Sequence, residues 1–93
     1  MAHTGERNRA ALTRAEIVAA IQQYAHEIAE RHYPPFTEAQ VIAELGMDSL
    51  STLEMVGMME RELGIVLPTD ELHEIRTVGA LTDLVQGKLG SLL

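Results

Sequence analysis

Apolar side chains recur at three- and four-residue steps through three stretches of this 93-residue chain, and no segment alternates polar and apolar residues with a period of two. The first repeat is carried by Ile17, Ile21, Tyr24, Ala25 and Ile28. Such spacing is typical of amphipathic helices, whereas half-buried strands show the period of two. The pattern therefore predicts an all-α fold, which we interpret as a small four-helix bundle of three longer helices and one short one.

The first helix has a clear predicted start and stop. Thr13 is placed to cap it, and Glu16 stands three residues later as the partner of a capping box. Because proline cannot continue a helix, the pair at Pro34–Pro35 predicts an end at about Arg31. The long connection that follows contains scattered apolar residues, which indicate a partly ordered loop or one helical turn.

The second helix is predicted to begin at Asp48 or Ser49 and to run to about Leu63, where Gly64 can end it. Its apolar residues again recur at three- and four-residue steps, which predicts that they face the core. This predicted inward face consists of Leu50, Leu53, Val56, Met59 or Glu60, and Leu63.

Two further helices are predicted after an extended segment. Pro68 and Thr69 can open a short helix with Asp70 and Glu71 in its first turn, where the helix dipole favours acids. Thr77 can cap the final helix. In the short helix the residues expected to face the core are Leu72 and Ile75. In the final helix they are Val78, Leu81, Leu84 or Val85, and Leu89.

Composition narrows the possible functions. The chain has no cysteine, and its four histidines lack the spacing of a zinc motif, so we expect neither a metal site nor a thiol nucleophile. The sequence shows no run of about 18 apolar residues and no signal-peptide core, which predicts a soluble, cytoplasmic protein without membrane insertion. Residues 1–11 are polar and unpatterned and are predicted to be a disordered tail, with one domain over residues 12–90.

Acidic residues are concentrated in the second half of the chain. The net charge is −7, and residues 38–83 contain ten acidic side chains against two basic ones. Such a surface repels nucleic acid and favours partner proteins with basic patches. We expect a monomer that meets such partners in solution.

The segment "LGMDSL", residues 45–50, places two capping residues side by side. A helix needs only one side-chain oxygen at its N-cap. If Asp48 is the cap, Ser49 lies at the first helical position with a free hydroxyl facing solvent. The capping role of Asp48 therefore leaves Ser49 without a structural explanation.

The surrounding sequence resembles the acyl carrier proteins, in which a serine carries a 4′-phosphopantetheine arm. The resemblance spans about Thr13 to Lys88 and is most specific in "ELGMDSLSTLEMV", followed by "LGIVLPTDELHEIRTVGALTDLV". It implies that Ser49 accepts the arm from a phosphopantetheinyl transferase, with Asp48 and Leu50 completing the attachment site. It also implies that Asp48 helps to hold the transferase's magnesium, and that the chain carries acyl thioesters without catalysing a reaction itself.

The resemblance further implies that acyl-loading and acyl-processing enzymes dock on the second helix. The residues expected to meet them are Leu50, Ser51, Glu54, Gly57, Glu60 and Arg61. Ser51 stands where many carriers of primary metabolism have an acid, Gly57 stands where an apolar contact is common, and Arg61 interrupts an acidic run. These departures make polyketide, specialised-lipid or other secondary-metabolite synthesis at least as plausible as fatty-acid synthesis.

Two other functions would also place a serine at the start of a helix or an acidic charge on a helical bundle. A serine hydrolase would need a base, an oxyanion hole and usually a Gly-x-Ser-x-Gly elbow after a strand, and the sequence offers none of these around Ser49. The alternative that stays open is an acidic helical adaptor protein that never carries a cofactor. It accounts for the charge and the helices but leaves Ser49 without a role.

Overall fold

The computed structural model describes residues 12–91, and within this range it is entirely helical apart from loops and one isolated bridge between Val41 and Thr77. Its elements are α1 (Arg14–Ala29), a short 3₁₀ helix (Ile42–Leu45), α2 (Ser49–Leu63), α3 (Thr69–Leu72) and α4 (Val78–Gly90). The predicted all-α bundle of three longer helices and one short one is confirmed. The predicted disordered tail, residues 1–11, lies outside the described residues.

The capping box predicted for α1 is present, because the Thr13 hydroxyl accepts the backbone N–H of Glu16 and the Glu16 carboxylate accepts that of Thr13. The helix ends at Ala29, two residues before the predicted end at about Arg31. Glu30 already adopts a left-handed conformation, with φ of 55°, and this reversal stops the helix four residues before the prolines. The prolines therefore follow a helix that has already ended.

The core lies between α1, α2 and α4, with α1 packed against both of the other two. Its buried helical side chains are Ile17, Ile21 and Ala25 from α1, Met55, Val56, Met59 and Leu63 from α2, and Val78, Leu81, Val85 and Leu89 from α4. In α4 the buried member of the predicted pair is Val85, whereas Leu84 is half-buried. Leu72 and Ile75 are partly buried against this core, as expected.

The predicted inward face of α2 was wrong at Leu50 and Leu53, which are 66% and 61% exposed. Residues at i, i+4 and i+8 lie on one face of a helix, and Met55, Met59 and Leu63 define the face that is buried. Leu50 lies on the opposite side of the helix from these residues, and Leu53 lies at the margin. Gly64 ends the helix as predicted, in the left-handed conformation with φ of 69°.

The long connection between α1 and α2 is held against the start of α4. The backbone N–H groups of Ile42, Val78 and Gly79 donate to the carbonyls of Arg76, Gln40 and Glu38, each at 2.9 Å. The Arg14 guanidinium adds ion pairs to Glu38 and Asp83 at 2.6 Å, which join α1, the connection and α4. These contacts fix the direction from which the chain enters α2.

Candidate functional site

The chain reaches the start of α2 through a tightly held turn. The Tyr33 hydroxyl donates to the Leu45 carbonyl over 3.0 Å, and the Arg31 guanidinium lies 4.7 Å from the centre of the Tyr33 ring. Gly46 follows with φ of 83°, a conformation that favours glycine. A Cβ atom at Gly46 would lie only 2.9 Å from an Arg31 nitrogen. The glycine therefore allows both the turn and the close approach of Arg31.

Asp48 is the N-cap of α2, as the sequence predicted. Its carboxylate accepts the backbone N–H of Ser51 at 2.8 Å, and its carbonyl accepts both the backbone N–H of Thr52 at 3.0 Å and the Thr52 hydroxyl at 2.9 Å. The N–H and hydroxyl of Ser51 stabilise the ionised carboxylate, so they lower the pKa of Asp48 below its usual value. Asp48 thus contacts the residues that follow Ser49 through the backbone of Ser51 and through both the backbone and the hydroxyl of Thr52.

Ser49 is exposed at the first position of α2. Among residues 12–91, none forms a hydrogen bond with its side chain, in contrast to its neighbours Ser51 and Thr52. The start of a helix favours negative charge through its unpaired N–H groups and its dipole. A phosphodiester on Ser49 therefore fits this position. Because the hydroxyl is exposed and bonded to no side chain of residues 12–91, it is accessible to a group that another protein delivers.

A cavity of about 500 Å³ opens beside Ser49. Ser49 and Thr52 line it together with mainly apolar residues of the connection, α2, the region of α3 and α4, namely Val41, Ile42, Met47, Leu53, Met55, Val56, Leu72, Ile75 and Leu81. Its size lies within the usual range of about 300–1,000 Å³ for ligand pockets. His73 and Arg76 add polar atoms to the lining. The sequence did not predict this cavity.

The residues predicted to meet partners fall on different sides of α2. Leu50, Glu54, Gly57 and Arg61 recur at three- and four-residue steps and share the face that points away from the core. Glu60 lies elsewhere, half-buried, and one of its carboxylate oxygens accepts the backbone N–H of Leu67 at 2.8 Å.

The comparison with known proteins agrees with this geometry. The sequence profile described as "Phosphopantetheine attachment site" matches residues 19–85. The chain belongs to the acyl carrier protein family. Similar proteins include the anthracycline acyl carrier proteins DauA of Streptomyces sp. (strain C5) and DpsG of Streptomyces peucetius. They are 35% and 34% identical over 82 residues, and in both cases the match covers 86% of this chain and 94% of the relative.

An acyl carrier protein of known crystal structure, from Thermotoga maritima, superposes with a TM-score of 0.79 at 28% identity, over 86% of this chain and 94% of that one. Acyl carrier proteins are carriers and not enzymes, and their family cofactor is phosphopantetheine. In residues 12–91 of this carrier protein, no group of three or more potential metal ligands is present, and no helix is long and apolar enough to span a bilayer.

Proposed function

We propose that Ser49 is the attachment site of 4′-phosphopantetheine and that the chain carries acyl intermediates as thioesters on this arm. The observation that supports the assignment is the exposed, unbonded hydroxyl of Ser49 at the first position of α2, with Asp48 already capping the helix. Ser51 and Thr52 are poorer acceptors because the Thr52 hydroxyl donates to the Asp48 carbonyl and the Ser51 hydroxyl helps to stabilise the ionised Asp48 carboxylate, whose pKa it lowers.

The attachment step requires a separate phosphopantetheinyl transferase. The Ser49 oxygen forms a bond to the phosphorus that carries the pantetheine of coenzyme A, and the bond from this phosphorus to the adenosine bisphosphate breaks. The hydroxyl proton passes to a base that the transferase supplies. The Asp48 carboxylate, kept ionised by its lowered pKa, fits the magnesium-binding role that the family resemblance implies.

The attached arm supplies a terminal thiol to a chain that contains no cysteine. Because the arm is tethered, the acyl group reaches each docked enzyme at a high effective concentration. The apolar cavity beside Ser49 lies where an acyl chain on the arm can fold back out of water. Leu53 lines this cavity although its side chain is largely exposed. Contact with a bound acyl chain would explain why an apolar residue stands at this exposed position.

We assign the carried groups to polyketide synthesis. The similarity to two carriers named for anthracycline supports this pathway over fatty-acid synthesis. Ser51, Gly57 and Arg61 support it as well, since they depart from the pattern of primary-metabolism carriers. Partner enzymes with basic patches would dock on the outer face of α2, with Leu50 and Glu54 nearest to Ser49.

Intact-mass measurement tests the attachment site. Wild type, Ser49→Ala and Ser51→Ala are each treated with a broad-specificity transferase, magnesium and coenzyme A. Wild type and Ser51→Ala should gain one phosphopantetheine, and Ser49→Ala should gain none while keeping its helical circular-dichroism spectrum, since Asp48 still caps α2. Modification of Ser49→Ala would show that another residue is the acceptor. A wild type that resists several transferases would favour the cofactor-free adaptor.

A further inference from the structure

A second concave surface lies on the outer side of the bundle, between the end of α1 and the middle of α2. This α1–α2 groove encloses about 510 Å³ and is lined by Glu27, Ile28, Glu30, Leu53, Glu54, Gly57 and Arg61. It is separate from the cavity beside Ser49, and Leu53 is the one side chain that lines both. The groove exists partly because Gly57 has no side chain to fill it.

The groove combines an apolar floor with an acidic rim. Ile28, Leu53 and Gly57 supply the floor, and three carboxylates surround it against the single cation Arg61. This combination suits a lysine or arginine side chain, whose aliphatic stem covers apolar surface while its charged end meets carboxylates. Among residues 12–91, Arg61 forms no ion pair with the rim, and Gln23 donates to one oxygen of Glu27 at 2.9 Å, which leaves the carboxylates of Glu30 and Glu54 and the second oxygen of Glu27 for an incoming cation.

We propose that the α1–α2 groove receives a basic side chain of the phosphopantetheinyl transferase and thereby orients that enzyme over Ser49. The inference rests on the proposed function and names a further part of the surface that the transferase contacts. Enzymes that act on the end of the arm can dock at a distance from Ser49, whereas the transferase must approach the Ser49 hydroxyl itself.

The position of the groove agrees with this assignment. Gly57 lies eight residues after Ser49, which corresponds to about 12 Å along a helix. A standard interface covers about 800 Å² on each partner, a patch roughly 16 Å in radius, so an enzyme centred on Ser49 extends over the groove. Leu50 and Glu54 lie on the α2 surface between Ser49 and the α1–α2 groove, so the contact surface is continuous.

Filling the groove tests the proposal without weakening the fold. A Cβ at Gly57 would meet only Arg61, at the ordinary contact distance of 3.5 Å, and leucine favours helix over glycine. Gly57→Leu should therefore melt no lower than wild type, yet kcat/KM for arm transfer should fall about fivefold, mainly through KM. The matched control is Gly87→Leu in α4, where a Cβ has no neighbour within 4 Å, and its transfer rate should equal that of wild type.

A second variant should change the rate in the opposite direction. Arg61→Gln removes the cation that opposes an incoming lysine or arginine, so kcat/KM should rise about two- to threefold at low salt, and the gain should shrink at high salt. The probe is a broad-specificity transferase with coenzyme A and magnesium. If wild type is modified but Gly57→Leu matches Gly87→Leu, or Arg61→Gln slows transfer, the groove is not a transferase contact. If wild type is not modified at all, the proposed function itself fails.

Discussion

The Tyr33 hydroxyl donates a hydrogen bond of 3.0 Å to the Leu45 carbonyl, and both residues are buried. This bond joins the segment after α1 to the last residue of the 3₁₀ helix, four residues before Ser49. The accepting Leu45 carbonyl directly precedes Gly46, whose left-handed conformation turns the chain toward α2. The position of the proposed attachment site thus depends on a tyrosine that lies far from it in sequence.

Tyr33→Phe should lower the free energy of unfolding by about 1–2 kcal/mol, because the buried Leu45 carbonyl loses its partner while the ring keeps its packing. The remaining ring can still make the edge contact with Phe36, whose centroid lies 5.4 Å away. Denaturant unfolding followed by circular dichroism measures the change. An unchanged midpoint would mean that water replaces the tyrosine hydroxyl without loss.

The start of α2 was predictable because capping is local. Asp48 and Ser51 are three residues apart, and their bond follows from the backbone geometry of any helix start. The orientation of α2 was not predictable in the same way. The apolar steps through Leu50 and Leu53 fit a helical face as well as those through Met55 and Met59 do, and only packing against α1 and the rest of the core decides which face is buried.

Two glycines on α4 should respond oppositely to alanine. At Gly79 a Cβ would lie 3.0 Å from the Glu38 Cβ and 3.1 Å from its carbonyl oxygen, so Gly79→Ala should push the connection away and destabilise the fold. At Gly87 nothing lies within 4 Å, and Gly87→Ala should stabilise by up to about 1 kcal/mol through helix propensity. Thermal melts of the pair measure both effects. Equal shifts in the same direction would show that Glu38 yields readily.

The ion pairs of Arg14 should make stability depend on acidity. Hydrogen bonding to Arg14 lowers the pKa of Glu38 below its ordinary value of 4.5, so folding favours the ionised form. The pair therefore contributes its full stabilisation above the pKa that Glu38 has in the unfolded protein. This stabilisation is lost as the pH falls from about 5 downward through the lower pKa of Glu38 in the folded protein. Arg14→Met should melt lower than wild type at pH 7, and the difference should narrow on acidification.

A control separates this pair from the general acidity of the surface. Glu62→Gln removes an exposed carboxylate of α2 that takes no part in the Arg14 contacts. Its melting temperature should follow the wild-type pH profile in shape. If Glu62→Gln and Arg14→Met alter the profile alike, the effect comes from net charge rather than from the ion pairs.

The contacts of Arg14 also show why the cavity beside Ser49 could not be predicted from the sequence. Arg14 and Asp83 are 69 residues apart, and nothing in the local pattern around either one indicates the other. The cavity beside Ser49 has the same origin, because its walls come from the connection, α2, the region of α3 and α4. Residue spacing predicts faces of single helices, whereas cavities depend on how several elements pack together.

The final prediction separates the capping role of Asp48 from its charge. Asparagine caps helices about as well as aspartate but carries no charge. Alanine also carries no charge and cannot cap the helix. Asp48→Asn should therefore retain most of the wild-type stability at pH 7, and Asp48→Ala should melt lower. The bonds from Ser51 lower the pKa of Asp48 in the folded protein. The stability that depends on the ionised carboxylate is therefore present above the pKa of Asp48 in the unfolded protein, and it is lost as the pH falls through the lower pKa in the folded protein. The wild-type advantage over Asp48→Asn should vanish in acid.

Arm transfer gives the second measurement on the same variants. If the carboxylate helps the transferase to hold magnesium, Asp48→Asn should be modified far more slowly than wild type although its helix is intact, and raising the magnesium concentration should recover part of the rate. Asp48→Ala should be slow as well, with the added loss of the cap. Transfer to Asp48→Asn at the wild-type rate would restrict Asp48 to capping, because the amide preserves the bond to the Ser51 N–H and removes only the charge.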